Sequence, residues 1–250
     1  MSIFAPVTKH NYPERQTSFS GYRKHGHHWL MTQVTTKGKR RRSPGEERAN
    51  SLSHGVALLA ILAAAPYLIV HATREGDGLF TLGASIFAGT LAFLYAASTF
   101  YHALSGGRFK AIFQKVEHAA ILLLIAGTYT PFSLGILWGE GGWLLLLVLW
   151  GLALMGIALK IFRGQTHPAL FVILYVGMGW LMVIAFRPLM HLLPMEGLIW
   201  LLAGGIAYTA GLVFFVADLR LRYAHFFWHL FVIAGSTCHY LAVLWYAHGG

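Results

Sequence analysis

The chain has 250 residues, of which 56% are hydrophobic and 11% charged, a composition outside the range of water-soluble domains, so most of it must meet lipid. A formal net charge of +10 does not mark a nucleic-acid binder, because lysine and arginine are confined to the N-terminal region and short loops instead of forming a continuous basic surface. The single cysteine, Cys238, excludes an internal disulfide and lies in an apolar stretch, which speaks against redox chemistry.

Residues 1–45 read as a basic cytoplasmic tail, partly disordered, ending in the cluster Lys37, Lys39, Arg40, Arg41, Arg42. No apolar segment follows a short charged start, so the tail is not a secretory signal peptide. His25, His27 and His28 read as solvated tail residues. Residues 46–250 are expected to form an all-α, seven-transmembrane helical bundle. A bilayer core of ~30 Å needs about 20 apolar helical residues, and seven stretches meet that length: Ser51–His71, Leu79–Tyr101, Val116–Trp138, Gly141–Phe162, Ala169–Phe186, Gly197–Ala217 and His225–Trp245. Their connectors are short and rich in breakers, as in Glu75-Gly76-Asp77-Gly78 and Ser105-Gly106-Gly107, so neighbouring helices should run antiparallel.

Charge predicts the direction of insertion. With the N-terminus cytoplasmic, seventeen of the nineteen lysines and arginines fall inside and only Arg74 and Arg187 outside, which agrees with the enrichment of basic residues in cytoplasmic loops. The C-terminus is then outside. Tryptophans such as Trp138, Trp143, Trp180, Trp200 and Trp245 fall near span ends as interfacial anchors. The small-residue runs Gly177-x-Gly179 and Gly204-Gly205 suggest close helix approach.

The polar residues of the spans share one depth, at the cytoplasmic ends. Glu47, Asn50 and His54 stand at the start of span one, Ser98 and His102 at the end of span two, Glu117 and His118 at the start of span three, Asp218 at the end of span six, and His225 and His229 in the first turns of span seven. Ionisable groups inside a membrane are costly and mark function. His225 and His229, four residues apart, present both imidazoles on one helix face, and Ser98 and His102 have the same offset. Paired histidines on a helix are more often capping or hydrogen-bonding residues, but three neutral imidazoles are also a zinc ligand set with a fourth tetrahedral position left for water. His118 points about 100° away from Glu117, so both cannot face one point. His239, deep in span seven, reads as a buried hydrogen-bonded histidine.

At these residues the sequence resembles the hemolysin III proteins, the bacterial branch of the progestin and adipoQ receptor (adiponectin receptor-like) family. The landmarks are Glu47-x-x-Asn50-x-x-x-His54, Ser98-x-x-x-His102, Glu117-His118-Ala119-Ala120-Ile121 through Gly127-Thr128-Tyr129-Thr130-Pro131, and His225-x-x-x-His229, covering Glu46 to Trp245. The resemblance implies a seven-helix bundle in a bacterial inner membrane, with an intramembrane Zn2+ site near the cytoplasmic face. His102, His225 and His229 become the zinc ligands, and Ser98 lies close to the metal or its water. The span-three acid, usually aspartate in the family, is Glu117 here. Glu47, Asn50 and His54 match the family's first motif and would brace the site as a polar network, with helix capping by Glu47 and Asn50 an equal alternative.

Three function classes follow. The first is a zinc-dependent hydrolase of a lipid amide or ester, ceramidase-like by resemblance, with Glu117 accepting a proton from water and Ser98 orienting the water or the developing oxyanion. The second is a non-enzymatic, receptor-like sensor whose zinc staples spans two and seven together. The third, a membrane-lytic or pore-forming protein, fits poorly, because spans four, five and six lack the polar residues of a conducting path. The expected partner is a membrane lipid, as substrate or ligand; nucleic acid is not expected.

Overall fold

The computed structural model of the chain describes residues 40, 42–163 and 168–248. The tail, including His25, His27 and His28, lies almost wholly outside the described residues. The described residues belong to one compact unit that begins at Lys39 and contain helices and no strand.

Eight α-helices follow in order: α1 Pro44–Glu75, α2 Gly78–Ala103, α3 Gly107–Leu134, α4 Gly142–Arg163, α5 Pro168–Gly179, α6 Phe186–Leu192, α7 Met195–Ala217 and α8 Ala224–Tyr246. Five of them, α1, α2, α4, α7 and α8, are long and apolar enough to cross a membrane. A sixth candidate is the pair α5 and α6, bent by 48° across a short break. At 28 residues α3 has the length but not the apolarity of the others, because Glu117, His118, Thr128 and Thr130 lie along it. With α3 included and the bent pair taken as one, the helices correspond one for one to the seven stretches.

Three boundaries differ from expectation, each for a local reason. Helix α1 begins well before Ser51. The Ser43 hydroxyl accepts from the Glu46 N–H while the Glu46 carboxylate accepts from the Ser43 N–H, a capping box followed by Pro44 at the first helical position. Glu47 and Asn50 therefore lie inside the helix, and neither is its cap. Helix α3 begins at Gly107 instead of Val116, since nothing in Arg108–Lys115 breaks a helix, and it ends at Leu134, short of Trp138. Span five is interrupted after Gly179 by a 3-10 turn at Leu181–Val183.

Packing follows chain order. Helix α2 packs on α1 and α3, α3 on α4, and α7 on α8, while α1 also meets α8 and so joins the two ends of the bundle. Glycine sets the closest approach. A Cβ on Gly83 of α2 would lie 2.7 Å from the Pro131 Cα of α3, and one on Gly127 of α3 would collide with Thr90. The runs expected to do this behave differently: Gly177, Gly179 and Gly205 face open space, and only Gly204 is crowded, against His239. Phe80, Phe87, Leu68 and Phe132 are fully buried, whereas Leu59, Leu147, Ile173 and Val213 are each more than 60% exposed. Apolar side chains displayed outward from successive helices are what a lipid solvent requires.

Candidate metal centre

The first turns of α1, the last turns of α2, the middle of α3 and the first turns of α8 meet at one end of the bundle. There the structure brings together His102 from α2, Glu117 from α3, and His225 and His229 from α8; one ligand atom from each lies within 4.8 Å of all the others. All four residues are buried. The i, i+4 offset places both α8 rings on the same face, 4.7 Å apart between centroids, and His102 lies 5.0 and 5.1 Å from them. No other such group of three or more His, Cys, Asp or Glu side chains occurs among the described residues.

The donor set fits a metal ion. The Nε2 atoms of His102 and His225 are buried and make no hydrogen bond, Oε1 of Glu117 standing 3.5 Å from that of His102. Leaving a polar atom buried and unpaired costs about 1–3 kcal/mol, and here the orphaned atoms converge. Imidazole and carboxylate donors within coordination reach of one point are the ligands that Zn2+ and similar divalent ions take.

The surrounding residues orient the set. His102 donates through Nδ1 to Oε2 of Glu47 at 2.7 Å, and the same carboxylate pairs through Oε1 with Lys110 at 3.2 Å. His229 donates through Nδ1 to the Asn50 carbonyl at 3.1 Å, to which Ser53 also donates at 2.8 Å. Such partners fix ring orientation and leave Nε2 for a metal. Of the residues expected to brace the site, Glu47 does so by its side chain and Asn50 by its backbone. His54 does so by stacking on the His229 ring, 3.7 Å between centroids and 4° from parallel. Ser98 contacts the acid itself, its hydroxyl donating to Oε1 of Glu117 at 2.6 Å. His118 lies outside the cluster with its Nδ1 donating to the Gln114 carbonyl, and His239 donates to the Leu201 carbonyl.

A second layer was not read from the sequence. Arg40 donates to both Glu46 carboxylate oxygens, at 2.9 and 2.8 Å, and to the Leu221 carbonyl at 3.0 Å. Hydrogen bonding to Glu46 raises the Arg40 pKa above its ordinary value. Glu46 also accepts the Tyr223 N–H at 2.8 Å. Tyr223 is the only non-glycine among the described residues with positive φ, 58°, and it immediately precedes α8. Arg42 donates to Asp218 at 2.6 and 3.1 Å. The segment before α1 thus clamps the turn that presents His225 and His229. The Ser43-x-x-Glu46 box was a readable signal for part of this; the pairings of Arg42 and Glu46 span some 176 residues and had none.

A helical membrane protein with a buried His/Glu cluster at one end of the bundle is the class that this fold and site define. Residues 43–240 match the haemolysin-III related family, and the chain belongs to it. It is 39% identical over 201 residues to Hemolysin-3 of Bacillus cereus, covering 80% of this chain and 91% of that protein. To the Hemolysin-3 homolog of Bacillus subtilis (strain 168) it is likewise 39% identical, covering 94% of that protein. The human monocyte to macrophage differentiation factor is 28% identical over 217 residues, 81% of this chain and 85% of that protein. No solved structure matches the chain.

Proposed function

We propose that the chain is a zinc-dependent hydrolase of membrane lipid amides or esters, seated in a bacterial plasma membrane with its N-terminus and metal centre on the cytoplasmic side. The observation that carries this reading is a cation-sized cluster of donors beside an apolar cavity of about 560 Å³. Leu94, Ile121 and Val232 line that cavity, each one helical turn from Ser98, Glu117 and His229. Its volume is that of a small-molecule site, and its walls, contributed largely by α3, α5, α6, α7 and α8, suit an acyl chain. The basic residues flanking the cluster's end of the bundle support the cytoplasmic placement.

His102, His225 and His229 would hold the zinc, which when bound would lower the pKa of a water from ~15.7 toward 7 and polarise a carbonyl. The protein's own residues do the rest. Glu117 is within reach of all three imidazoles and takes the proton released by water, then delivers it to the leaving amine or alkoxide. Ser98, donating to Oε1, holds that carboxylate in one rotamer and leaves Oε2 for the proton. Glu47 and the Asn50 carbonyl keep His102 and His229 in the tautomer with a free Nε2. A lipid chain in the cavity would lie one helical turn from Ser98, Glu117 and His229.

One observation favours a second reading. Glu117 could serve as a fourth ligand and close the tetrahedron, which is the habit of structural zinc sites; the ion would then staple α2, α3 and α8 in a sensor without turnover. Metal analysis of purified protein, with fatty-acid release from ceramides and phospholipids measured for wild type and Glu117→Gln, separates the two. The hydrolase predicts one zinc per chain in both proteins and a loss of turnover of about 10²–10⁴-fold in the variant. Zinc retained by wild type and no fatty acid released from any lipid tried would leave the staple.

A further inference from the structure

The three imidazoles do not face the centre in the same chemical state. His102 and His229 each point Nδ1 at an acceptor, the Glu47 carboxylate and the Asn50 carbonyl; the Ser53 hydroxyl, 3.0 Å from the His229 Nδ1, gives its own hydrogen to that same carbonyl and so accepts from the ring. Each ring therefore carries a hydrogen on Nδ1, and as a neutral imidazole it keeps the Nε2 lone pair, which in His102 lies 3.5 Å from Oε1 of Glu117, for an ion. His225 is the reverse. Its Nδ1 lies 3.1 Å from Nη2 of Arg42, and a guanidinium can only donate. The Nδ1 of His225 must then accept, which puts the ring's single hydrogen on the buried, unpartnered Nε2. A nitrogen in that state has no lone pair to offer a cation.

The group that could reverse this stands beside it. Oδ2 of Asp218 is 3.8 Å from Nδ1 of His225, too far for a hydrogen bond and already taken by Arg42. Arg42 precedes the N-cap Ser43 and lies outside every helix, so its side chain can leave the ring without displacing one.

On the reading of the cluster as a metal centre, we propose that Arg42 and Asp218 are opposed positioning residues for His225. Arg42 holds the ring in the tautomer that cannot ligate through Nε2. When the guanidinium withdraws, Asp218 accepts the Nδ1 hydrogen and Nε2 becomes a ligand, completing the set that Glu47 and Asn50 have already prepared on the other two rings.

Full-length protein, stripped of metal with a chelator in detergent, is titrated with Zn2+ as wild type, Arg42→Ala, Arg42→Lys and Asp218→Ala, and the imidazole 15N shifts of His225 are recorded without metal. Wild type is expected to show its hydrogen on Nε2. Arg42→Ala moves it to Nδ1 and tightens zinc by about ten-fold, even though the lost ion pair lowers the metal-free melting temperature. Arg42→Lys keeps the charge but loses the planar fork that spans carboxylate and ring, and it tightens zinc as well. Asp218→Ala weakens zinc by about 10–100-fold. A purely structural role would lower the melting temperature without raising affinity. The proposal is overturned, with the metal centre intact, if wild-type His225 carries its hydrogen on Nδ1, if Arg42→Ala binds zinc no tighter than wild type, or if Arg42→Lys stays at the wild-type value and so assigns the gain to charge alone. Absence of zinc binding in wild type and every variant overturns both the proposal and the metal centre.

Discussion

At the scale of single residues, the centre depends on groups that never touch an ion. The Glu47 carboxylate is held between Lys110 of α3 and the Nδ1 of His102, so it decides both where that ring points and which nitrogen is free. Removing it leaves a buried imidazole without its acceptor. Glu47→Ala is therefore expected to weaken zinc by about 10–100-fold while the helices stay folded, checked by isothermal titration alongside circular dichroism. A variant that binds like wild type would reduce Glu47 to a surface ion pair, which contributes at most about 1 kcal/mol. Ser98 belongs at this scale too. Its hydroxyl donates to Glu117 of the cluster, a partner that the four-residue offset from His102 does not name, because such an offset fixes which helix face a side chain shares and not which neighbour it meets.

At the scale of elements, the positions of α2 and α3 set how far His102 stands from Glu117. These helices approach through Gly83 and Gly127, where any Cβ meets Pro131 or Thr90. Gly127→Val must push the pair apart or force Thr90 off its rotamer, a change that costs about 1–3 kcal/mol in a packed interior. The expected result is a lower melting temperature together with weaker zinc binding, whereas Gly89→Ala, which faces open space on α2, leaves both near wild type. The start of α1 is equally deliberate. Its capping box accompanies the contacts of Arg40 with Leu221 and of Glu46 with Tyr223, so loss of the Ser43 hydroxyl in Ser43→Ala should cost about 1 kcal/mol and be visible in thermal melts.

At the scale of the whole molecule, the asymmetry of basic residues predicts which side of the membrane the centre faces. In a Cys238→Ser background, a cysteine placed at Lys115 should react with an impermeant maleimide only after the membrane is opened, and one placed at Glu75 should react in intact cells. The opposite pattern would turn the bundle over and put the centre outside. The apolar cavity has Leu94, Ile121 and Val232 in its wall, each one helical turn from Ser98, Glu117 and His229, and on the proposed function it would receive the chain of a lipid whose polar headgroup stays at the cluster.

Much of this is legible in the order of the amino acids. Run length and apolarity are local and additive along the chain, so membrane spanning and the order of the helices follow from them, and the two i, i+4 pairs, Ser98 with His102 and His225 with His229, share a depth with Glu117. The break after Gly179 was not legible, because Ala169–Phe186 is apolar throughout and a 3-10 turn leaves no mark in hydropathy. Nor was the state of each imidazole. The Nδ1 partner of His225 is Arg42, 183 residues away, and that meeting depends on how α1 and α8 are rotated against each other. Rotation is set by side-chain packing across the whole bundle, a sum over distant contacts that no window of sequence contains, and so only the tertiary structure decided which partner each ring nitrogen meets.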